Sequence, residues 1–422
     1  MLEYSKVENF VFFGKFWQNA SMALNNKKVY FYTGNFTHNF YKEIYRHAPD
    51  GFSFIPSSKD LVSTGIKKDI IKSSQWWGNV INKAVFHAAK LMALSRIPNL
   101  KIIKIPKEAD LVHSAQAMLL NHRPWVVDFE DISVFGWYSP KLLGCSWSKK
   151  IMQHCFESDA CRLILPWTLA AKKSLLNALD CEKFKNKIEI AYPVKEPNIP
   201  FKPKEKKPGE PINLLQIGTA FYTKGCHETL LAFEKIQNKY NVHLTVISIF
   251  PEDIKNKFGS NPKITLLSRV SNERIKQAYE EADIFVYPVH NDTFGFVILE
   301  AYGYGLPCIS THQFAIPEIV IDNETGLLIP PYVSRFNDRF LPQYPLLSGL
   351  INEENHPLSQ MLKNPPDDYV NHLIKAMVTL IENSSLRNKM SEKAYQMVSV
   401  GRFSSQARKK RMKELYQRAL AF

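Results

Sequence analysis

Two carboxylates bracket a single apolar run in "NDTFGFVILEAYGYGLP", residues 291 to 307. Asp292 and Glu300 are eight residues apart. That is too far for one shared helical contact, because side chains on a helix meet at spacings of three and four. Carboxylates accept hydrogen bonds from hydroxyls, so two of them along one element can hold a polyhydroxyl ligand at two points. The strand-like "DIFVYPV" before them and the apolar run after them predict a strand, a turn at His290 to Thr293, and a helix starting near Phe294. The first N–H groups of a helix lack internal partners and sit at the positive end of its dipole, so they favour anions such as phosphates. Thr293, Phe294, Gly295 and Phe296 are the candidate contacts there, with Gly295 allowing close approach of a ligand to the backbone. A second reading stands beside this one on spacing alone: Asp292 as a helix cap and Glu300 as a buried, ion-paired acid.

The elements that must position these residues follow from the rest of the chain. At 422 residues it exceeds what one core usually supports, which predicts two domains. Its hydrophobic content of 45% and charged content of 22% are those of an ordinary globular protein. Near residue 200, "KEPNIPFKPKEKKPGEPIN" carries prolines and lysines without apolar periodicity and reads as a solvated linker. On either side, short β-like runs alternate with amphipathic ones, the pattern of α/β domains with parallel sheets. Strand candidates before the linker are "VYFYTG", "FSFIP", "KIIKI", "DLVHS", "WVVDF" and "CRLILP". After it they are "NLLQIG", "LTVISIF", "KITLL", "DIFVYP" and "PCIST". Two doubly wound domains would face each other across a cleft at the carboxyl ends of their strands, where such sheets bind ligands.

"DTFGFVILEAYGYGLPCIS" resembles the carboxyl-domain signature of retaining GT-B glycosyltransferases of family 4, in which two glutamates are separated by seven residues. Glu300, Ala301, Gly305 and Pro307 match it, and Asp292 replaces the first glutamate, which shortens its reach by one methylene. "LLQIGTAFYTKGCHETLLAF" resembles the family's phosphate-contacting loop, with Gly218 at the turn and Lys224 as a cation for a diphosphate. Thr219 stands where the family commonly has an arginine. "SRVSNERIKQAYEEADIFVYP" matches the segment that usually holds the nucleotide base, around Arg269 and Val270.

The resemblance implies a donor-binding domain over 201–404 and an acceptor-side domain over 1–200. It also implies a last helix, about 405–422, that returns to the first domain. It further implies transfer of a sugar from a nucleotide-diphosphate sugar with retention of configuration, without a cofactor or dedicated metal. Asp292, Glu300 and Lys224 would carry the chemistry. A glycan or lipid acceptor would bring the enzyme into glycolipid or surface-polysaccharide synthesis. A nucleotide-sugar epimerase and an inactive homologue share the same shape and remain alternatives. Between Pro331 and Pro366 an aromatic, proline-rich excursion has no counterpart; a packing insertion is favoured over a partner or acceptor surface.

In the first half, "ADLVHSAQAMLLNHRPWVVDFED" resembles the family's paired strands facing the cleft. It places His113, Glu130 and Asp131 as candidates on the acceptor or sugar side, with Glu130-Asp131 where many members have His-Asp. A core histidine and capping acids are the rival reading. Of the net charge of +14, residues 1–205 carry +11, from 29 Lys and Arg against 18 Asp and Glu. With the basic, amphipathic stretch around Trp76 and Trp77, this suggests contact with an anionic membrane surface. No helix-turn-helix, RNP or zinc signature supports nucleic acid as a partner. The six cysteines are scattered and form no CxxC, which reads as free thiols in a reducing compartment. The N-terminus shows no signal-peptide pattern, and a cytoplasmic protein is expected.

Overall fold

The computed structural model describes residues 26–34, 39–58, 96–344 and 357–422. The Trp76-Trp77 stretch and residues 35–38 lie outside the described residues. The strands are β1 (Lys27–Tyr32), β2 (Phe52–Pro56), β3 (Leu100–Lys101), β4 (Leu111–Ala115), β5 (Met118–Leu119), β6 (Trp125–Phe129) and β7 (Cys161–Pro166). They continue as β8 (Ile212–Ile217), β9 (Val242–Ile247), β10 (Ile264–Leu267), β11 (Ile284–Tyr287), β12 (Cys308–Thr311) and β13 (Gly326–Ile329).

One sheet has the order β2-β1-β4-β6-β7, the other β10-β9-β8-β11-β12-β13, and every pairing in both is parallel. Central strands β4, β6, β11 and β12 are buried at every position, so they show no alternation of inward and outward residues, and even the polar His113, Asp128 and Ser310 lie inside. Two expectations need correction. "KIIKI" forms only the end of the two-residue pairing of β3 with β5, with Ile102 exposed beside it. Edge strand β13 was missed, because "GLLI" is short and follows a turn-rich "DNETG".

Within the second sheet the strand order reverses between β8 and β11, so the switch point lies between the loop after β8 and the loop after β11. Ligands of open α/β sheets bind at that place. Both loops carry the residues singled out above.

The segment expected to be a solvated linker is tied down instead. Lys204 Nζ donates to the carbonyls of Tyr279, Glu280 and Ala282 at the end of the helix Asn272–Glu281. It thereby satisfies carbonyls that have no partner inside the helix and complements the negative end of the dipole. Burial there lowers the Lys204 pKa to about 8. Lys206 pairs with Asp283 at 2.7 Å.

The last helix, Ser405–Ala421, is capped by Ser404 and lies on the first sheet. Met412, Leu415, Tyr416 and Ala419 pack against Val29, Leu111, Val126 and Leu163. Arg411 and Arg418 both reach Glu189, at 2.8 and 2.6 Å. A further apolar cluster joins the two domains: Phe40 meets Phe296 at a ring-centroid separation of 5.1 Å and Trp167 at 4.9 Å.

The proline-rich excursion is a packing element over its described part. Phe336 stacks on Phe314 at 3.7 Å, and Arg339 and Asn177 exchange hydrogen bonds of 3.1 and 2.8 Å. It therefore straps the second domain to the first.

Candidate active site

β8 ends at Ile217, and the chain passes through Gly218 and a tight turn before the helix Cys226–Ile236. A Cβ on Gly218 would stand 2.6 Å from Lys224 Cβ, so the bare backbone is what lets the lysine fold back over the strand end. Lys224 Nζ then donates to the Asn291 carbonyl and to Asp292 Oδ2, both at 2.9 Å. Thr219, the next residue after the glycine, is exposed.

Opposite, β11 ends at Tyr287 and the helix Phe296–Tyr302 starts at a cap, Gly295, with φ +93°. A non-glycine residue is strained there. Asp292 Oδ1 accepts the Phe294 and Gly295 amides at 3.2 Å each, and the Tyr287 hydroxyl donates to Oδ2 at 2.7 Å. Burial pushes the Asp292 carboxyl up, but Lys224, Tyr287 and the Phe294 amide outweigh it and hold the pKa below the usual aspartate value. The same carboxylate raises the Tyr287 pKa, second to burial. Asp292 is thus at once a helix-start acceptor and the ionic partner of Lys224. The capping reading of Asp292 describes these contacts, and the ion pair which that reading gave to Glu300 is made by Asp292 instead.

Glu300 lies on the same helix and accepts the Tyr279 hydroxyl at 3.2 Å. Burial raises its pKa, opposed by the charge of Lys195. Tyr279 stacks on Tyr304 at 5.1 Å, nearly parallel, and so forms a wall beside the acid. Arg269, exposed with φ +54°, and half-buried Val270 follow edge strand β10, two strands from β8. No described contact brings them to Lys224 or Asp292.

Across the domain boundary, Glu130 leaves the end of β6 and accepts hydrogen bonds from both sides. Its Oε1 takes the Tyr138 hydroxyl at 2.7 Å, and its Oε2 takes the Thr293 hydroxyl of the other domain. Burial first, then neighbouring Asp131, pushes its pKa up to about 7, against the hydrogen bonds from Thr293 and Tyr138 and the charge of Arg335. Phe294 and Phe296 pack on Trp167 of the first domain at 6.3 and 5.7 Å.

Two candidates are corrected. His113 is fully buried beneath the C-terminal helix, with Nδ1 2.6 Å from the Tyr416 hydroxyl and Nε2 3.4 Å from Asp128. It is a core histidine closed off from any substrate. Asp131 caps the 3-10 turn Ile132–Gly136 through the Ser133 amide, and its other oxygen forms a buried ion pair of 3.3 Å with Arg335 of the excursion. That carboxylate is spent on joining the domains.

Sequence reasoning missed Tyr287, Tyr279, Tyr138 and Arg335. The tyrosines read as strand or core residues, and only the fold brings their hydroxyls to the acids. It also missed Asn291, whose buried Oδ1 has no partner among the described residues and sits next to Asp292. Among the described residues no group of three His, Cys, Asp or Glu side chains is placed to hold a metal, and no helix is long and apolar enough to cross a membrane.

Residues 198–341 match the family described as glycosyl transferases group 1. Over 81 residues the chain is 33% identical to a D-inositol 3-phosphate glycosyltransferase of Mycobacteroides abscessus, covering 19% of this chain and 18% of that one. Over 120 residues it is 32% identical to the capsular polysaccharide biosynthesis glycosyltransferase CapM of Staphylococcus aureus, covering 27% and 31%. The matches span less than a third of either relative. The whole architecture resembles a glycosyltransferase from Rickettsia africae, with TM-score 0.54, 14% identity, and 94% and 99% of the two chains covered. It also resembles Anabaena HepE in complex with UDP and glucose, with TM-score 0.52, 13% identity, and 93% and 99% covered.

Proposed function

We propose that this chain, which has the GT-B fold and whose second domain is a glycosyl transferases group 1 domain, moves a sugar from a nucleotide-diphosphate sugar to an acceptor, with retention of configuration. The observation that carries the reading is the meeting of Lys224, Asp292 and the amides of Phe294 and Gly295 at the switch point of the second sheet. A cation and a helix start in one place suit a diphosphate, and a carboxylate beside them suits sugar hydroxyls. As the donor's bond to phosphate breaks, negative charge grows on the leaving diphosphate, and fixed donors stabilise it without reorganising. Glu300, two turns along, would hold a second set of hydroxyls, those of the ribose, with Arg269 and Val270 toward the base. The acceptor is a glycan or a lipid-linked sugar, and the excess positive charge of the first domain favours work from the cytoplasm at an anionic membrane surface.

The test is a thermal-shift panel of UDP-, GDP- and ADP-sugars, since a donor that binds the native state raises Tm by mass action. Products made with the stabilising donor are then read for anomeric configuration by NMR. An inverted product removes retention. No stabilisation by any nucleotide sugar removes the donor site.

A further inference from the structure

Three of the acids around the site have fixed ionic or amide partners, and Glu300, further along its helix within the second domain, accepts the Tyr279 hydroxyl. Asp292 is paired with Lys224, Asp131 with Arg335, and Glu318 of the second domain accepts the Leu169 and Ala170 amides of the first. Glu130 differs. No lysine or arginine pairs with it among the described residues, and both its hydrogen bonds come from neutral hydroxyls, one on each domain. Its Oε2 touches Thr293, the residue between Asp292 and the helix-start amides, so the carboxylate faces the place where the donor's sugar and phosphates would meet.

We infer that Glu130 receives the proton of the acceptor hydroxyl during transfer, an inference that rests on the glycosyl-transfer reading above. In that step the acceptor oxygen bonds to the anomeric carbon on the same face from which the phosphate oxygen departs, which keeps the configuration, and the bond from that carbon to the phosphate oxygen breaks. The bonding pair leaves on the nucleoside diphosphate, and the hydroxyl proton passes to Glu130 Oε2. Thr293 gives up its hydrogen bond to that oxygen when substrates enter, while Tyr138 keeps the other oxygen oriented. A proton acceptor works best when its pKa lies near the working pH, and burial with Asp131 alongside holds Glu130 near 7. The other groups facing it are Arg335 from the excursion, the Tyr138 hydroxyl and, from the helix Asn39–Arg46, Tyr41, whose own hydroxyl is engaged by Asp128 at 2.9 Å.

The experiment uses the full chain with whichever UDP-, GDP- or ADP-sugar raises its Tm most, and reads release of the nucleoside diphosphate with water as the acceptor between acidic and alkaline pH. The parent should show a rate that falls as pH drops through about 7, the limb of a base becoming protonated. Glu130→Gln, which keeps the shape and a hydrogen-bond acceptor, should lower kcat by about 10²–10⁴-fold, leave donor KM within about threefold, and lose the acid limb. Glu130→Asp should retain the limb with a smaller loss. Unchanged kcat and an unchanged limb in Glu130→Gln overturn the inference and leave the donor reading intact. So does a rise in KM with the limb preserved, which is what a residue that merely fastens the domains would give. A parent that binds a nucleotide sugar and releases no diphosphate at any pH overturns it as well. A parent that binds none of them overturns the donor reading and this inference together.

Discussion

Lys224 Nζ lies 2.9 Å from Asp292 Oδ2, although the two residues are carried by separate loops on the two sides of the switch point in the second sheet. The cation suited to a diphosphate is therefore held by the carboxylate suited to a sugar. Each side chain is about one fifth exposed, at 21% and 17%, so the pair is neither freely solvated nor sealed. A donor that enters must share Lys224 with Asp292.

Asp292→Asn separates those two roles. The amide still has an oxygen for the Phe294 and Gly295 amides, but it no longer neutralises Lys224, which becomes free to meet phosphate. Nucleoside diphosphate affinity should stay within about 1 kcal/mol of the parent or become tighter, most visibly at low salt. Turnover should fall about tenfold or more, the size of one lost charge-assisted hydrogen bond. Calorimetric titration and initial rates check it; weaker diphosphate binding with normal turnover would contradict the assignment. The pair also sets an acid limit. Asp292 has a depressed pKa, so its stabilisation is present above the ordinary aspartate range and is lost as pH falls through the folded value.

Arg335 and Asp131 form an ion pair with both side chains fully buried, one on each domain. Arg335 also reaches Ser133 Oγ at 3.1 Å and the Tyr344 carbonyl at 3.2 Å. Arg335→Met strands a buried carboxylate and should cost about 3–5 kcal/mol in urea unfolding. Adding Asp131→Asn should restore part of that loss. If Arg335→Met is as stable as the parent, the strap does not couple the domains.

Glu318 supplies a helix cap from the opposite domain. Its two oxygens accept the Leu169 and Ala170 amides at 2.8 Å each, and Oε2 also accepts Tyr192 at 2.8 Å. The helix Leu169–Ala178 has its own cap in Thr168, so Glu318 meets the remaining unsatisfied amides of the first turn. Glu318→Ala should cost about 1–2 kcal/mol. Hydrogen exchange at Leu169 and Ala170 should quicken while the helix interior keeps its protection. Unaltered exchange at those two amides would mean that the contact does not persist in solution.

The sequence made much of this visible, for a definite reason. A fully buried parallel strand such as β11 leaves an unbroken apolar run, and the carboxyl ends of β8 and β11 mark the loops where Gly218 and Lys224, and Asp292 and Gly295, fall. What stayed hidden depends on contacts between distant segments. Nothing in "YVSRFNDRF" reveals that Arg335 will meet Asp131 some two hundred residues earlier. His113 misled because a histidine in a strand looks the same whether it faces the cleft or, as here in the middle of β4, the C-terminal helix and Tyr416. The lysines of the 195–213 segment looked solvated by composition, yet Lys204 ends a helix.

Glu130 gives the sharpest pH dependence. Its folded pKa of about 7 lies above the ordinary 4.5, because burial and Asp131 favour the protonated form. A folded state that holds the proton more tightly than the unfolded chain gains stability from it. That gain is complete below the unfolded value and disappears as pH rises through the folded one, so the window runs from about 4.5 to about 7. Glu130→Gln removes the titration. Urea unfolding of parent and variant at a series of pH values should show the variant gaining on the parent across that window, by no more than about 3 kcal/mol in total. Above it the difference should level off. The depressed Asp292 pulls the other way at lower pH, but it is common to both proteins and cancels in the difference. A difference that stays flat from acid to neutral pH would mean that Glu130 titrates as an ordinary surface acid, and that its hydrogen bonds to Tyr138 and Thr293 hold a carboxylate the protein never needed to bury.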